Sequence, residues 1–149
     1  MQNTSTNTNS SVPALYPILH RRFYGTLIAL ILLFVLNVVA NYLSLYWIYK
    51  WFDIPMHFIG GAIVSCGWYV IVAWYKKDLR FRWIQALIGS FVIGFAWEVI
   101  EYISHVAQLV PHYYLDSAKD LCMDMLGGLV AYLAWNTDSL KKYNDGMNN

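Results

Sequence analysis

The stretch from Asp116 to Gly128, D-S-A-K-D-L-C-M-D-M-L-G-G, limits what this chain can become. Asp116, Asp120 and Asp124 recur at every fourth position, so on a helix they share one face. The segment then runs apolar from Leu129 to Trp135, the composition of a helix that crosses a bilayer. A carboxylate at the centre of such a helix costs about 2.5–3.5 kcal/mol, and a leucine returns only about 0.3–0.6 kcal/mol. Three acids on one span therefore require partners from elsewhere in the chain.

The rest of the sequence supports a membrane setting. Only 13% of the 149 residues are charged, about half the share of a soluble domain. Mean hydropathy is +0.41, and the 7 Trp and 12 Tyr suit membrane–water interfaces. A net charge of +1 without a basic patch argues against nucleic acid as a partner. Cys66 and Cys122 both fall in apolar segments and outline no disulfide framework.

Four spans follow in order, giving an all-α polytopic bundle. Residues 1–19, rich in Ser, Thr and Asn, read as a disordered tail. The first span is expected at about 23–49, with Asn37 and Asn41 as hydrogen-bonding glue between helices. A signal peptide is the rival reading, but the long polar leader and the aromatic continuation past Ala40 argue against it. The second span, about 54–75, opens on Asp53 and Pro55, an N-cap and a first-turn proline. The third is expected at about 83–108, with a stripe of Ser90, Gly94, Glu98, Glu101 and His105. The fourth is expected at about 115–135, and residues 137–149 read as a polar tail, so the membrane domain occupies 20–136.

Lysine and arginine set the expected orientation. Arg21 and Arg22, the loop holding Lys76, Lys77, Arg80 and Arg82, and Lys141 and Lys142 all belong on the cytoplasmic side. Both termini are then cytoplasmic, in an inner (cytoplasmic) membrane, with membrane lipids as surroundings and a homo-oligomer as a further assembly. This topology puts Asp53, His57, Glu98, Glu101, His105, Asp116, Asp120 and Asp124 in the outer half of the bundle. Six of the chain's nine acidic residues are in that set. Their depths match: Asp124 is about 12 Å along its helix from Asp116, and Glu98 about 10 Å from His105.

Three segments carry a resemblance: D-I-P-M-H-F-I-G-G at 53–61, F-A-W-E-V-I-E at 95–101, and D-S-A-K-D-L-C-M-D-M-L-G-G at 116–128. Together they resemble the YjdF-like family of small bacterial membrane proteins and, more remotely, VanZ-like proteins, which are associated with glycopeptide-antibiotic tolerance. The resemblance covers roughly 53–128 and picks out Asp53, His57, Glu98, Glu101, Asp120 and Asp124. Tyr113-Tyr114-Leu115 departs from the family's Gln-Gly-Asp-type approach to the fourth helix. The resemblance implies a fold and a site but no settled reaction.

Six carboxylates in one confined volume either share protons or bind a cation. Oxygen donors with an imidazole suit a divalent metal: Mg, Mn, Fe, Zn or Ca. The expected metal ligands are Asp53, His57, Glu98, Asp120 and Asp124, with Glu101 as the catalytic general base. The corresponding activity is metal-assisted attack on a lipid or isoprenoid phosphate, or another headgroup bond. The alternatives are a small proton or cation transporter and a non-catalytic scaffold. Simpler readings stand beside the individual residues: Asp53 as a cap, Asp116 as an exposed interfacial acid, Lys119 as paired with Asp116 or Glu101, His105 and His112 as interfacial and solvated, Cys122 as inert and the Gly pairs as packing.

Overall fold

Helix formation follows the apolar runs closely in the middle of the chain and departs from them at its ends. The computed structural model describes residues 15–76, 80–104 and 112–147. Within them the chain forms α1 (Leu15–Tyr42), α2 (Leu45–Ile48), α3 (Asp53–Lys76), α4 (Trp83–Ile103) and α5 (Tyr113–Met147). All of it is helical, as the sequence indicates. Three described helices are long and apolar enough to cross a membrane: Leu19–Tyr42, Asp53–Lys76 and Trp83–Ile103. By that measure three of the four expected crossings are met, and α5, where the fourth is expected, opens on acidic turns and falls outside the measure.

The boundaries shift where tertiary contact or backbone geometry overrides composition. The tail expected through residue 19 gives way to helix at Leu15, and Leu19 is buried in the apolar core. The span expected to reach Tyr49 ends at Tyr42, because Ser44 adopts a left-handed backbone (φ 55°). A short helix, α2, follows that turn. The polar tail expected from residue 137 is helical to Met147; once nucleated, a helix adds one hydrogen bond per residue fixed. His112, at φ 59°, sets the entry to α5, and its carbonyl accepts from the Leu115 and Asp116 amides.

Helix α3 lies at the centre, against α1, α4 and α5, and α4 and α5 also touch. Small residues let the backbones close. A Cβ on Gly61 would land on the Asp124 carbonyl of α5, and one on Gly127 would land on the Phe58 carbonyl of α3. In lipid such close packing, rather than apolar burial, holds helices together. At one end of the bundle Leu19, Tyr69, Val70, Ala73, Phe81 and Ala86 form the apolar core. There Arg22 lies 3.8 Å from the Trp135 ring centroid and donates to Tyr69 Oη at 3.1 Å. The ionisable residues occupy the opposite end of α3, α4 and α5.

Candidate metal centre

The helical period brings the ionisable residues together. In α3, Met56, His57, Gly61 and Ser65 are buried at intervals of one to four residues, so His57 faces inward. In α4 the buried positions are Ala86, Gly89, Ser90, Gly94 and Glu98, the small-to-acidic stripe read from the sequence. In α5, Asp120 and Asp124 are 3% and 4% exposed, one turn apart on the face toward α3.

His57 is the hub. Its Nδ1 lies 3.2 Å from Asp124 Oδ2. Its Nε2 lies 3.5 Å from Asp53 Oδ1 and 4.0 Å from Glu98 Oε1. The two ring nitrogens thus face different acids, one on α5 and two on α3 and α4. Gly94 makes room for this: a Cβ there would strike the Asp124 carboxylate. Asp53, His57 and Asp120 each offer a ligand atom, all within 4.8 Å of one another.

Lys119 caps the other side of the cluster. Its Nζ lies 2.5 Å from Asp116 Oδ1, 3.3 Å from Asp120 Oδ1 and 3.9 Å from Asp53 Oδ2. Of the two partners the sequence suggests, Asp116 and Glu101, Lys119 meets Asp116, one turn away, and it also reaches Asp53 across the α3–α5 seam. Two buried carboxylate oxygens, Glu98 Oε1 and Asp120 Oδ1, have no hydrogen-bond partner among the described residues. Asp120 Oδ1 has only the ion-pair approach of Lys119. Buried polar atoms are nearly always bonded, so two orphans on one cluster need an explanation.

The remaining candidates lie around this core. Glu101 accepts from Trp97 Nε1 at 2.9 Å and is half-buried, one turn along from Glu98. Asp116 is half-exposed and held by Lys119. His112 is exposed, as its simpler reading had it, and His105 falls outside the described residues. Cys122 is exposed and Cys66 half-buried, and neither contributes to the cluster. Asn41 donates to Asn37 within α1, and the expected bond between helices is made by Asn37, to α2. Asn37 also accepts from Tyr46 Oη at 2.6 Å. Burial, then the nearby Asp53 and Glu101 charges, raise the Tyr46 phenol above its ordinary range, which keeps it a neutral donor.

Sequence reading missed two contributions. Tyr113 Oη donates to the Glu98 carbonyl at 2.9 Å and ties the start of α5 to α4. A cavity of about 250 Å³ opens beside His57, between α1, α3 and α4, with Asp53, Glu101 and Asp124 at its polar end. No sequence period signals a cavity, because its far wall comes from an otherwise apolar helix.

A family model described as "Predicted membrane protein (DUF2238)" matches residues 12–139. The chain belongs to the DUF2238 family. The match takes in the whole cluster, from Asp53 to Asp124, and all three apolar spans. Comparison with curated proteins and with solved structures returned no match. As a DUF2238 protein, the chain is a membrane protein with membrane-capable helices and a carboxylate–histidine cluster.

Proposed function

We propose that the cluster is a divalent-cation centre. The observation that carries it is the pair of buried carboxylate oxygens without a hydrogen bond among the described residues, Glu98 Oε1 and Asp120 Oδ1, which only the ion-pair approaches of His57 and Lys119 meet, in one cluster with Asp53. A cation supplies what those oxygens lack. Opposed ligands on an ion of this class stand about 4–5 Å apart, and Asp53, His57 and Asp120 fit within 4.8 Å. The donors within that span are Asp53, Asp120 and His57 Nε2, and Glu98, whose Oε1 lies 4.0 Å from Nε2, would be the fourth. Asp124 then takes a different part from the ligand role expected of it. It faces Nδ1, so it fixes the imidazole tautomer and ring plane and leaves Nε2 free to ligate. An imidazole among carboxylates, with no thiolate, favours Mn²⁺, Fe²⁺ or Zn²⁺ over Mg²⁺ or Ca²⁺.

The activity that fits is attack on a headgroup bond of a membrane amphiphile, a lipid or isoprenoid phosphate first. The metal would supply Lewis-acid polarisation. Glu101, half-buried on the cavity beside the cluster and outside the ligand set, is placed to take a proton. The membrane arrangement we infer is four crossings in a cytoplasmic membrane, both termini cytoplasmic. Helix α5 crosses because Lys119 and the cation meet its acids. The YjdF-like resemblance adds no reaction.

Elemental analysis of protein purified without added metal tests the centre. Stoichiometric Mn, Fe or Zn, removed by EDTA with a fall in melting temperature, is expected, since a ligand stabilises the form that binds it. Metal-free protein that neither takes up Mn²⁺, Fe²⁺ or Zn²⁺ nor changes its melting with EDTA would defeat the proposal and leave a proton-binding bundle or scaffold.

A further inference from the structure

The cavity between α1, α3 and α4 has a steep polarity gradient along its length. Its apolar end is walled by Leu30, Leu33 and Phe34 of α1, Val64 of α3 and Ile93 of α4. Its other end presents Asp53, Glu101 and Asp124 with Tyr46 and Trp97. All three helices agree on this direction: α1 becomes polar at Asn37, α3 begins at Asp53, and α4 reaches Glu101 near its end. The gradient matches a molecule with an apolar chain at one end and a polar head at the other.

The charge at the polar end selects the head. No lysine or arginine lines the cavity; Lys119 serves Asp116, Asp120 and Asp53 from the other side. Glu101 makes no ion pair among the described residues, and its one hydrogen bond comes from an indole. His57 is the one basic side chain among the described residues of the lining, and Asp53 and Asp124 already engage it, so a phosphate alone would meet carboxylates in excess. A bare metal ion would have no use for the apolar wall. An unpaired carboxylate flanked by two aromatic rings is the setting that attracts an organic cation.

We propose that this cavity binds a membrane amphiphile whose head carries an ammonium, with its chain along Leu33 and Val64 and the ammonium at Glu101 beside Trp97. The site borders the proposed cation centre but does not depend on it. The two are also compatible in one ligand, because a phosphate and an ammonium can belong to the same lipid head.

The test uses the full chain in dodecyl maltoside after EDTA treatment. Dodecylamine, dodecyltrimethylammonium and dodecyl phosphate are titrated, with melting temperature and native mass spectrometry as readouts. Both ammonium probes are expected to bind saturably and raise the melting temperature, and dodecyl phosphate is not. A preference for dodecylamine over dodecyltrimethylammonium marks a primary-amine head, the reverse a quaternary one, and either supports the site. Glu101→Gln weakens ammonium binding roughly tenfold, Glu101→Asp restores most of it, and Leu33→Trp fills the cavity and abolishes it. Leu33→Trp keeps the metal content of wild type, and its ligand-free melting reports that it is folded. Equal binding of all three probes, or undiminished ammonium binding by Glu101→Gln and Leu33→Trp, overturns the proposal. Loss of metal uptake with ammonium binding intact would overturn only the cation centre, and the converse only this cavity.

Discussion

Two ends of the same bundle bury charge in opposite ways. At one end Arg22, half-buried, stacks on Trp135 and donates to Tyr69 of the apolar core. Its charge is met by fixed groups of the protein. At the other end Asp53, Glu98, Asp120 and Asp124 surround a single histidine and a single lysine, and two oxygens have no hydrogen bond among the described residues. The first end is closed by packing, and the second, on the function proposed above, is completed by a bound cation. A membrane protein can tolerate the second arrangement because the cost of unpaired charge in lipid is recovered when a ligand binds. That contrast separates a structural charge from a functional one more sharply than burial does, since both ends bury their polar groups.

The most severe way to break the contrast is to separate α3 from α5. Gly61→Val would push a branched side chain onto the Asp124 carbonyl, where even a single Cβ has no room. We expect a loss of about 3 kcal/mol or more, seen as loss of monodisperse protein on size exclusion or a melting curve below that of any other variant. A Gly61→Val protein that melts like wild type would show that the helices can spread and that the close seam is unnecessary.

Arg22→Met tests the closed end alone. It removes a cation over an indole and a donor to Tyr69, and we expect about 2 kcal/mol of destabilisation. Because no ligand is involved, the loss should be the same with and without EDTA. A chelator-dependent effect at Arg22 would mean that the two ends are coupled.

Much of this arrangement was legible in the sequence. The periods that place His57, Glu98, Asp120 and Asp124 inward are intrinsic to a helix, and the matched depths of α3, α4 and α5 follow from rise per residue. The seam glycines were visible as small residues on the acidic faces. What stayed hidden depends on contacts between elements rather than on pattern within them. The start of α1 at Leu15 rests on Leu19 joining a core with Tyr69, and the break at Ser44 rests on one left-handed residue inside an apolar run. The division of labour between the two nitrogens of His57 needs a ring orientation, which no spacing encodes. The reach of Lys119 to Asp53 likewise exists only once α3 and α5 are packed.

Asp124→Asn sharpens the open end. If Asp124 orients His57 rather than ligating the cation, its loss should weaken cation affinity by about 10–100-fold without changing stoichiometry, as for other carboxylates behind a ligating histidine. Titration of the chelated variant with Mn²⁺ or Zn²⁺ checks this. Complete loss of binding at saturating metal would put Asp124 back among the direct ligands.

The smallest effect, and the most discriminating, is that of Glu98→Gln in metal-free protein. Glu98 is 5% exposed, and its Oε1 has no hydrogen-bond partner. A fixed structural carboxylate, like a mirror image of Arg22, would lose stability when neutralised. An acid held in reserve for a cation behaves differently. In chelated protein the amide removes a buried negative charge from a cluster that already has too many, and the melting temperature should stay level or rise by the equivalent of about 1 kcal/mol or less. In metal-loaded protein the order reverses. Wild type gains the binding free energy, while Glu98→Gln gains less, so wild type melts above the variant. The crossing of the two melting orders on addition of Mn²⁺ or Zn²⁺ is the signature of an end built to receive a cation. If Glu98→Gln melts below wild type even in EDTA, Glu98 is a packing residue, and the two ends of the bundle differ only in the sign of the charge they bury.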